Sequence, residues 1–198
     1  MICLSVYKND ELACVAGFAD ATMLTAELSG DIAHGGAASL RVGGLCDLPG
    51  GRSARLCWIE EARLELGDSL RFEFTRSGAP TAPRWLEPAD SPKHLAEQAI
   101  FRAQARDWAP SSAPLPAQWP DLQFECAVDR GQAVLAKVPT GQQHALCSLL
   151  WDIWRPETCK VYVHTFGGGA GQGVEDRKTP WLHERLEEGQ SLDVRVSW

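Results

Sequence analysis

Two histidines and two cysteines have a spacing that could bind zinc. His144-x-x-Cys147 is followed by Cys159-x-x-x-x-His164, and zinc sites are often built from such pairs of ligands. If both segments are strands, the odd separations place the two members of each pair on opposite faces. We therefore predict no metal site at these four residues.

The other thiols and carboxylates also lack the setting that catalysis requires. None of the seven cysteines belongs to a C-x-x-C pair, and none lies among basic residues that would favour a thiolate. The acidic pairs Glu60-Glu61 and Glu187-Glu188 are adjacent in sequence, so on a strand their carboxylates point apart. We predict reduced thiols, no cofactor and no enzymatic activity.

A glycine-rich run, GGGAGQG at 167–173, could in principle form a phosphate-binding loop. Such a loop leads into a helix N-terminus or carries Lys-Ser/Thr directly after a glycine. Here the run leads to Glu175 and Asp176, whose carboxylates would repel phosphate. The pattern favours a connection between strands.

The charge of the chain limits its partners. The net charge is −7 and the isoelectric point is near 5.2, whereas nucleic-acid binding requires a basic patch. The densest basic pair, Arg177-Lys178, directly follows two acidic residues. The composition excludes nucleic acid and suits a basic protein partner, because opposite potentials speed encounter.

Tryptophan is the most unusual component of the sequence, with eight copies. Trp151 and Trp154 occur in LLWDIWRPE, beside Asp152 and Glu157. Exposed tryptophan among carboxylates is typical of protein-binding hot spots, although a larger core contact would also explain these two. The predicted partner-binding residues are Trp151, Asp152, Trp154, Glu157, Glu175 and Asp176.

A repeated motif indicates how these residues are positioned. RLELGDSL at 63–70 returns as RLEEGQSL at 185–192, at an offset of 122 that also aligns Leu4 with Cys126 and Leu24 with Leu146. We therefore predict two homologous units, at 1–76 and 122–198. The offset is too long for a solenoid repeat.

Each unit is predicted to be mainly β, as a β-sandwich or an α+β fold. Apolar and polar residues alternate on both sides of turns at Asn9-Asp10 and Asp129-Arg130. The segments 22–30 and 144–154 are ambiguous between strand and helix. We favour strand because alternation is present in both copies.

The connection at 77–121 has a different composition, with eight of the twelve prolines. Ser91-Pro92 is typical of a helix start, so we predict a short helix at about 92–106. Its apolar stripe, which includes Leu95 and Ile100, is expected to pack on one or both units, because an isolated helix of this length is marginal in water.

Two further features bear on location. No apolar run is long enough to span a bilayer. The first ten residues, MICLSVYKND, lack the basic and apolar regions of a secretory signal. These features predict a cytoplasmic protein.

Size, acidity, the lack of a signal and the missing active site together make the chain similar to bacterial immunity proteins. That resemblance implies a non-enzymatic protein that neutralises a basic toxin by covering its active site. The alternative is an enzyme or small-ligand binder with its site in a cleft between the two units. A structural module of a larger assembly is a third possibility.

Overall fold

The fold is described from a computed structural model of the full chain. It describes residues 1–31, 37–107, 122–139, 142, 144–167 and 178–197. The chain is mainly β, as predicted, and within the described residues it has thirteen strands and one helix. No helix in that part of the chain has the length and apolar character needed to cross a bilayer.

The first seven strands precede the helix. They are β1 (Cys3–Lys8), β2 (Glu11–Ala16), β3 (Ala21–Asp31), β4 (Ala37–Leu48), β5 (Arg52–Leu64), β6 (Ser69–Thr75) and β7 (Trp85–Pro88). The helix, α1 (Pro92–Asp107), is followed by β8 (Gln123–Val128), β9 (Val134–Lys137), β10 (His144–Asp152), β11 (Cys159–Phe166), β12 (Thr179–Leu186) and β13 (Ser191–Ser197).

These strands form two sheets with antiparallel pairing. One sheet has the order β2-β1-β6-β13-β8-β9, and the other has the order β12-β11-β10-β3-β4-β5-β7. Each sheet therefore contains strands from both ends of the chain. They are joined by the pair β6–β13 in the first sheet and by the pair β3–β10 in the second. The ranges 1–76 and 122–198 meet along hydrogen-bonded strands.

One hydrophobic core lies between the sheets. Phe72, Phe74 and Phe124 of the first sheet are fully buried, as are Leu28 and Leu149 of the second. All five belong to a single cluster that includes residues from both ends of the chain. Burial of an aromatic or leucine side chain contributes about 1.5–3 kcal/mol, so the fold depends on both ranges together.

Both ambiguous segments are strands, namely β3 and β10. Their register differs from the one that the constant offset predicts. Leu24 is buried in β3, but in β10 the buried residues are Cys147 and Leu149, whereas Leu146 lies on the other face. The predicted equivalence of Leu24 with Leu146 is therefore wrong, because a shift of one residue moves a side chain to the opposite face of a strand.

The register of the first strand also differs, by two residues. Leu4 pairs with Phe74, and Phe124 pairs with Val196 at the corresponding place in β8–β13. Leu4 thus corresponds to Phe124 and not to Cys126. The residues predicted to face inward still do so, because a shift of two residues leaves a side chain on the same face of a strand.

The predicted turns have the expected local geometry. Asn9 and Asp10, which form the two-residue connection between β1 and β2, both have positive φ, as type I′ turns require. Asp129 and Arg130 also have positive φ, at the start of the five-residue connection 129–133 between β8 and β9. In the repeated motif, the Asp68 side chain accepts a hydrogen bond from the backbone N–H of Glu65. Gln190 accepts the equivalent bond from Glu187, so both copies close through a side chain at the same position.

The helix is confirmed, but its predicted packing is wrong. Ser91 caps α1 through a 3.0 Å hydrogen bond from the backbone N–H of His94 to its Oγ. Leu95 and Ile100 of the apolar stripe are 53% and 59% exposed. The helix instead contacts β5 through polar groups, because Arg55 projects from the outer face of that strand towards His94 and Glu97.

Candidate functional site

The most exposed large hydrophobic side chain of the described residues lies in the loop between β10 and β11. Trp154 is 82% exposed, and its neighbour Ile153 is 47% exposed. The strand alternation that buries Leu149 and Trp151 ends at Asp152, so the chain turns there and directs the next residues outward. An indole presented to solvent in this way is available to a partner.

Asp152 holds this loop in place. Its Oδ1 accepts hydrogen bonds from the backbone N–H groups of Trp154, at 3.1 Å, and Arg155, at 3.2 Å. Its Oδ2 lies 2.7 Å from Nζ of Lys160. The hydrogen bond from Lys160 is the main reason why the pKa of Asp152 lies below its usual value. Asp152 itself is only 5% exposed.

Trp151 stabilises the loop from inside the core. It is 5% exposed, lies opposite Leu24 across the β3–β10 pair, and donates a hydrogen bond from Nε1 to the carbonyl of Pro156 at 3.2 Å. The two tryptophans of the motif therefore differ in role. Trp151 fits the core-contact alternative, whereas Trp154 has the exposure of a contact residue.

A cleft of about 440 Å³ borders the same loop. Asp20 and Asp47 contribute carboxylates to it, and Pro49 and Ile153 contribute apolar surface. Two backbone hydrogen bonds of 3.1 Å join the segments that meet here. The N–H of Asp47, at the end of β4, donates to Asp20, and the N–H of Ile153 donates to Thr22 at the start of β3. No cationic residue is among those that line the cleft, so its local charge is negative.

Of the remaining predicted site residues, the structure describes Glu157 alone. Glu157 is exposed in the Trp154 loop. Glu175 and Asp176 lie outside the described residues.

Sequence reasoning missed the contribution of Asp20, Asp47 and Ile153. Asp20 and Asp47 are more than a hundred residues from Trp154 in the chain, and neither belongs to a distinctive motif, since Asp20 lies between β2 and β3 and Asp47 at the end of β4. They lie close together because β10, β3 and β4 are neighbours in one sheet. The start of β3 and the ends of β4 and β10 are on the same side of that sheet. Ile153 could have been found as the residue between Asp152 and Trp154.

The zinc-like spacing is split between the two faces of a sheet. Cys147 and Cys159 point into the core and are fully buried, whereas His144 and His164 lie on the outer face beside Phe166. Burial raises the pKa of Cys159 to about 12, so this thiol resists deprotonation and cannot readily supply a thiolate ligand. The four residues do not converge.

Comparison with protein-family models, with curated proteins and with solved structures finds no match. Inference about function therefore starts from the side chains themselves. Among them, the combination of an exposed indole, a braced loop and an adjoining acidic cleft is the one with the clearest binding chemistry.

Proposed function

We propose that this protein binds a basic protein partner through the Trp154 surface, which we define as Asp20, Asp47, Ile153, Trp154 and Glu157. The observation that carries the proposal is the 82% exposure of Trp154 on a loop that Asp152 holds in one conformation. Exposed indoles are costly to leave in water and are enriched at the energetic centres of interfaces.

The arrangement of the loop favours tight binding. An indole buries about 150–250 Å² when it is covered, and a preordered loop loses little conformational entropy on binding. Because Asp152 and Trp151 already restrain the backbone on both sides of Ile153, that entropic cost is small here. Trp154 is then expected to be the main anchor of the interface.

The charge of the surface favours a basic partner. Asp20, Asp47 and Glu157 are exposed carboxylates in a chain with a net charge of −7. Carboxylates at the rim of an interface accelerate encounter with a cationic partner and orient it, and this effect weakens as salt is added.

Inhibition of a toxin is the function that we infer for this binding. A cytoplasmic protein with an acidic, aromatic surface can cover the active site of a basic toxin, as bacterial immunity proteins do. Support comes from the acidity, the lack of a catalytic constellation in the sequence and the character of the Trp154 surface.

The test uses the purified protein as bait for basic proteins encoded in neighbouring genes, together with the Trp154→Ala and Leu66→Ala variants. Leu66 is 61% exposed and lies outside the Trp154 surface, so its variant is a matched control. We expect Trp154→Ala to weaken capture by about 2 kcal/mol or more, roughly thirtyfold. Leu66→Ala should bind like the wild type.

Relief of toxicity in a bacterial host that expresses the captured protein would separate inhibition from binding alone. Equal capture by the wild type and Trp154→Ala would exclude the Trp154 surface. Capture without relief of toxicity would retain the binding function and exclude the inhibitory one.

We further propose that the fold arose by duplication of a unit that now corresponds to 1–76 and 122–198. The same pairing pattern occurs in both ranges. Ala26 pairs with Val42 in β3–β4, and Cys147 pairs with Val163 in β10–β11. One irregularity in the next pairings also coincides, because the register shifts directly after Val42 and directly after Val163, whereas the shift before Val42 has no counterpart in β11–β12.

The central strand pair of the first sheet supports the same history. Arg71 corresponds to Asp193 at the offset of 122, and these two residues lie directly opposite each other in β6–β13. An approximate two-fold axis therefore passes between them. Strand β7 and helix α1, which come from the connection 77–121, have no counterpart among the described residues of the second range.

The alternative function is an enzyme or small-ligand site between the two units, and in the described part of the chain two cavities are lined by residues of both ranges. The units share hydrogen-bonded strands and one hydrophobic core there. The larger described cavities open on the outer surfaces. We favour the Trp154 surface because an exposed indole adjoins one of these cavities.

A further inference from the structure

We propose that Glu87, His94 and Glu97 form a binding site for a divalent cation of the zinc class, in competition with the guanidinium of Arg55. One oxygen of each carboxylate and one ring nitrogen of His94 all lie within 4.8 Å of one another. Imidazole and carboxylate are ligands that zinc takes in proteins. The site lies on the outer face of the second sheet and is independent of the Trp154 surface.

The three side chains are held by local structure. Ser91 caps α1 by accepting a hydrogen bond from the backbone N–H of His94, and its hydroxyl also donates to Oε1 of Glu87 at 2.9 Å. Glu97 follows His94 by three residues on α1, so both side chains lie on the same face of the helix. One serine therefore links the strand that carries Glu87 to the helix that carries the other two ligands.

The hydrogen bonds of His94 direct a lone pair towards the centre of the group. Nη1 of Arg55 lies 3.0 Å from Nδ1 of His94, and a guanidinium can only donate, so Nδ1 accepts. The proton of the neutral ring is then on Nε2, which lies 2.8 Å from the side-chain amide of Gln98. The atom of Gln98 at this distance is its Nε2, while its Oε1 accepts a 3.4 Å bond from Arg102. Turning the amide over gives up that long bond and offers His94 Nε2–H an oxygen acceptor, the supporting contact that metal-bound histidines usually make.

Arg55 marks the place where positive charge is stabilised. Its Nη1 contacts both Nδ1 of His94 and, at 3.4 Å, Oε2 of Glu97. The same guanidinium lies 5.6 Å from the ring of Trp85. It can therefore leave the ligands and still retain a cation–π contact with the indole.

The change in geometry that zinc requires is small. Bonds of about 2.0–2.2 Å in a tetrahedral site place ligand atoms roughly 3.4 Å apart, so a spread of up to 4.8 Å needs a contraction of at most about 1.4 Å. The Glu97 side chain is 49% exposed and can move. Three protein ligands leave the fourth position for water, as in zinc sites that bind or activate small molecules.

The experiment titrates zinc into the full-length protein, after metal has been removed, against a chromogenic chelator. The same titration is made with Glu97→Gln, His94→Ala and Arg55→Gln. Glu61→Gln is the matched control, because Glu61 lines the same groove but belongs to an ion pair with Arg41. Visible absorption of bound cobalt reports the ligand set independently.

We expect one equivalent of zinc to bind, with affinity reduced at least about tenfold by Glu97→Gln and further by His94→Ala. Arg55→Gln should increase the affinity by about tenfold, because it removes the competing charge. Glu61→Gln should leave it unchanged. The proposal is overturned if the wild type does not compete with the chelator, or if the loss in Glu97→Gln equals that in Glu61→Gln. Circular dichroism of each variant identifies a loss that is due to unfolding.

Discussion

At the scale of single residues, Asp152 and Trp154 have separate roles in one loop. In the proposed interface Trp154 provides the contact area, and Asp152 holds its loop through two backbone hydrogen bonds and the ion pair with Lys160. Both residues were predicted to contact a partner. Only Trp154 has the exposure for direct contact.

Replacement of Asp152 by Asn should destabilise the protein in a pH-dependent way. The amide can still accept from the backbone, but it loses the ion pair with Lys160, so we expect the free energy of unfolding to fall by about 1–3 kcal/mol at pH 7. The pKa of Asp152 is depressed in the folded state. Its stabilisation is therefore present above the unfolded pKa of about 3.9 and is lost as the pH falls through the folded pKa.

Denaturant unfolding of the wild type and Asp152→Asn at pH 7 and at about pH 2 measures this difference. The two proteins should differ at pH 7 and converge in acid. A difference that is the same at both pH values would contradict an origin in the Asp152 carboxylate.

At the scale of elements, the turns of the β1–β2 and β8–β9 hairpins differ in how well their residues suit the positive-φ conformation. Type I′ geometry needs positive φ at both central residues, and Asn, Asp and Gly tolerate it best. Asn9 also uses its side chain, which donates to Oδ1 of Asp68 and accepts from the backbone of Ser69. Arg130 has φ of 57° without such chemistry, so the second hairpin carries strain that the first avoids.

Replacement of Arg130 by Gly should therefore stabilise the protein, by about 0.5–1 kcal/mol in the free energy of unfolding, because a left-handed conformation is costly for a residue with a Cβ. Asp10→Gly, at the corresponding position, should gain less because aspartate tolerates this conformation. Thermal or denaturant unfolding gives both values. An equal or larger gain for Asp10→Gly would contradict the proposed strain at Arg130.

The helix shows a second element-scale feature. Sequence signals predicted its start at Ser91-Pro92 correctly, because capping is local and depends on neighbouring residues. They did not predict its orientation, which depends on Arg55 of β5, a residue 39 positions before His94. A stripe of small and apolar residues indicates that a segment is helical. Whether that stripe is buried depends on the part of the protein against which the helix packs.

At the scale of the whole molecule, the two ranges form one cooperative body. The pairs β6–β13 and β3–β10 join them in both sheets, and a single core fills the space between. A fragment of either range alone would expose two unpaired edge strands and half of that core, which favours aggregation.

We therefore predict that a chain divided between residues 107 and 122 assembles from its two parts. Co-expressed fragments 1–107 and 122–198 should form a one-to-one complex with the circular dichroism of the intact protein. Each fragment alone should be insoluble or unfolded, because it lacks its partner strands. Size-exclusion chromatography with light scattering measures the outcome. A folded, monomeric 1–107 would contradict the shared core.

The sequence by itself determined the β-rich character, the two hairpin turns, the helix start and the inward face of most strands, because these depend on periodicity and on residues close in the chain. It also identified Trp154. Only the tertiary structure decided that Trp151 and Asp152 are buried, that Asp20 and Asp47 adjoin Trp154, and that Arg55 meets His94. These features depend on which strands are neighbours and on the register of their pairing. A shift of one residue, as between Leu24 and Leu146, exchanges the buried and exposed faces of a strand, and the sequence does not indicate that shift.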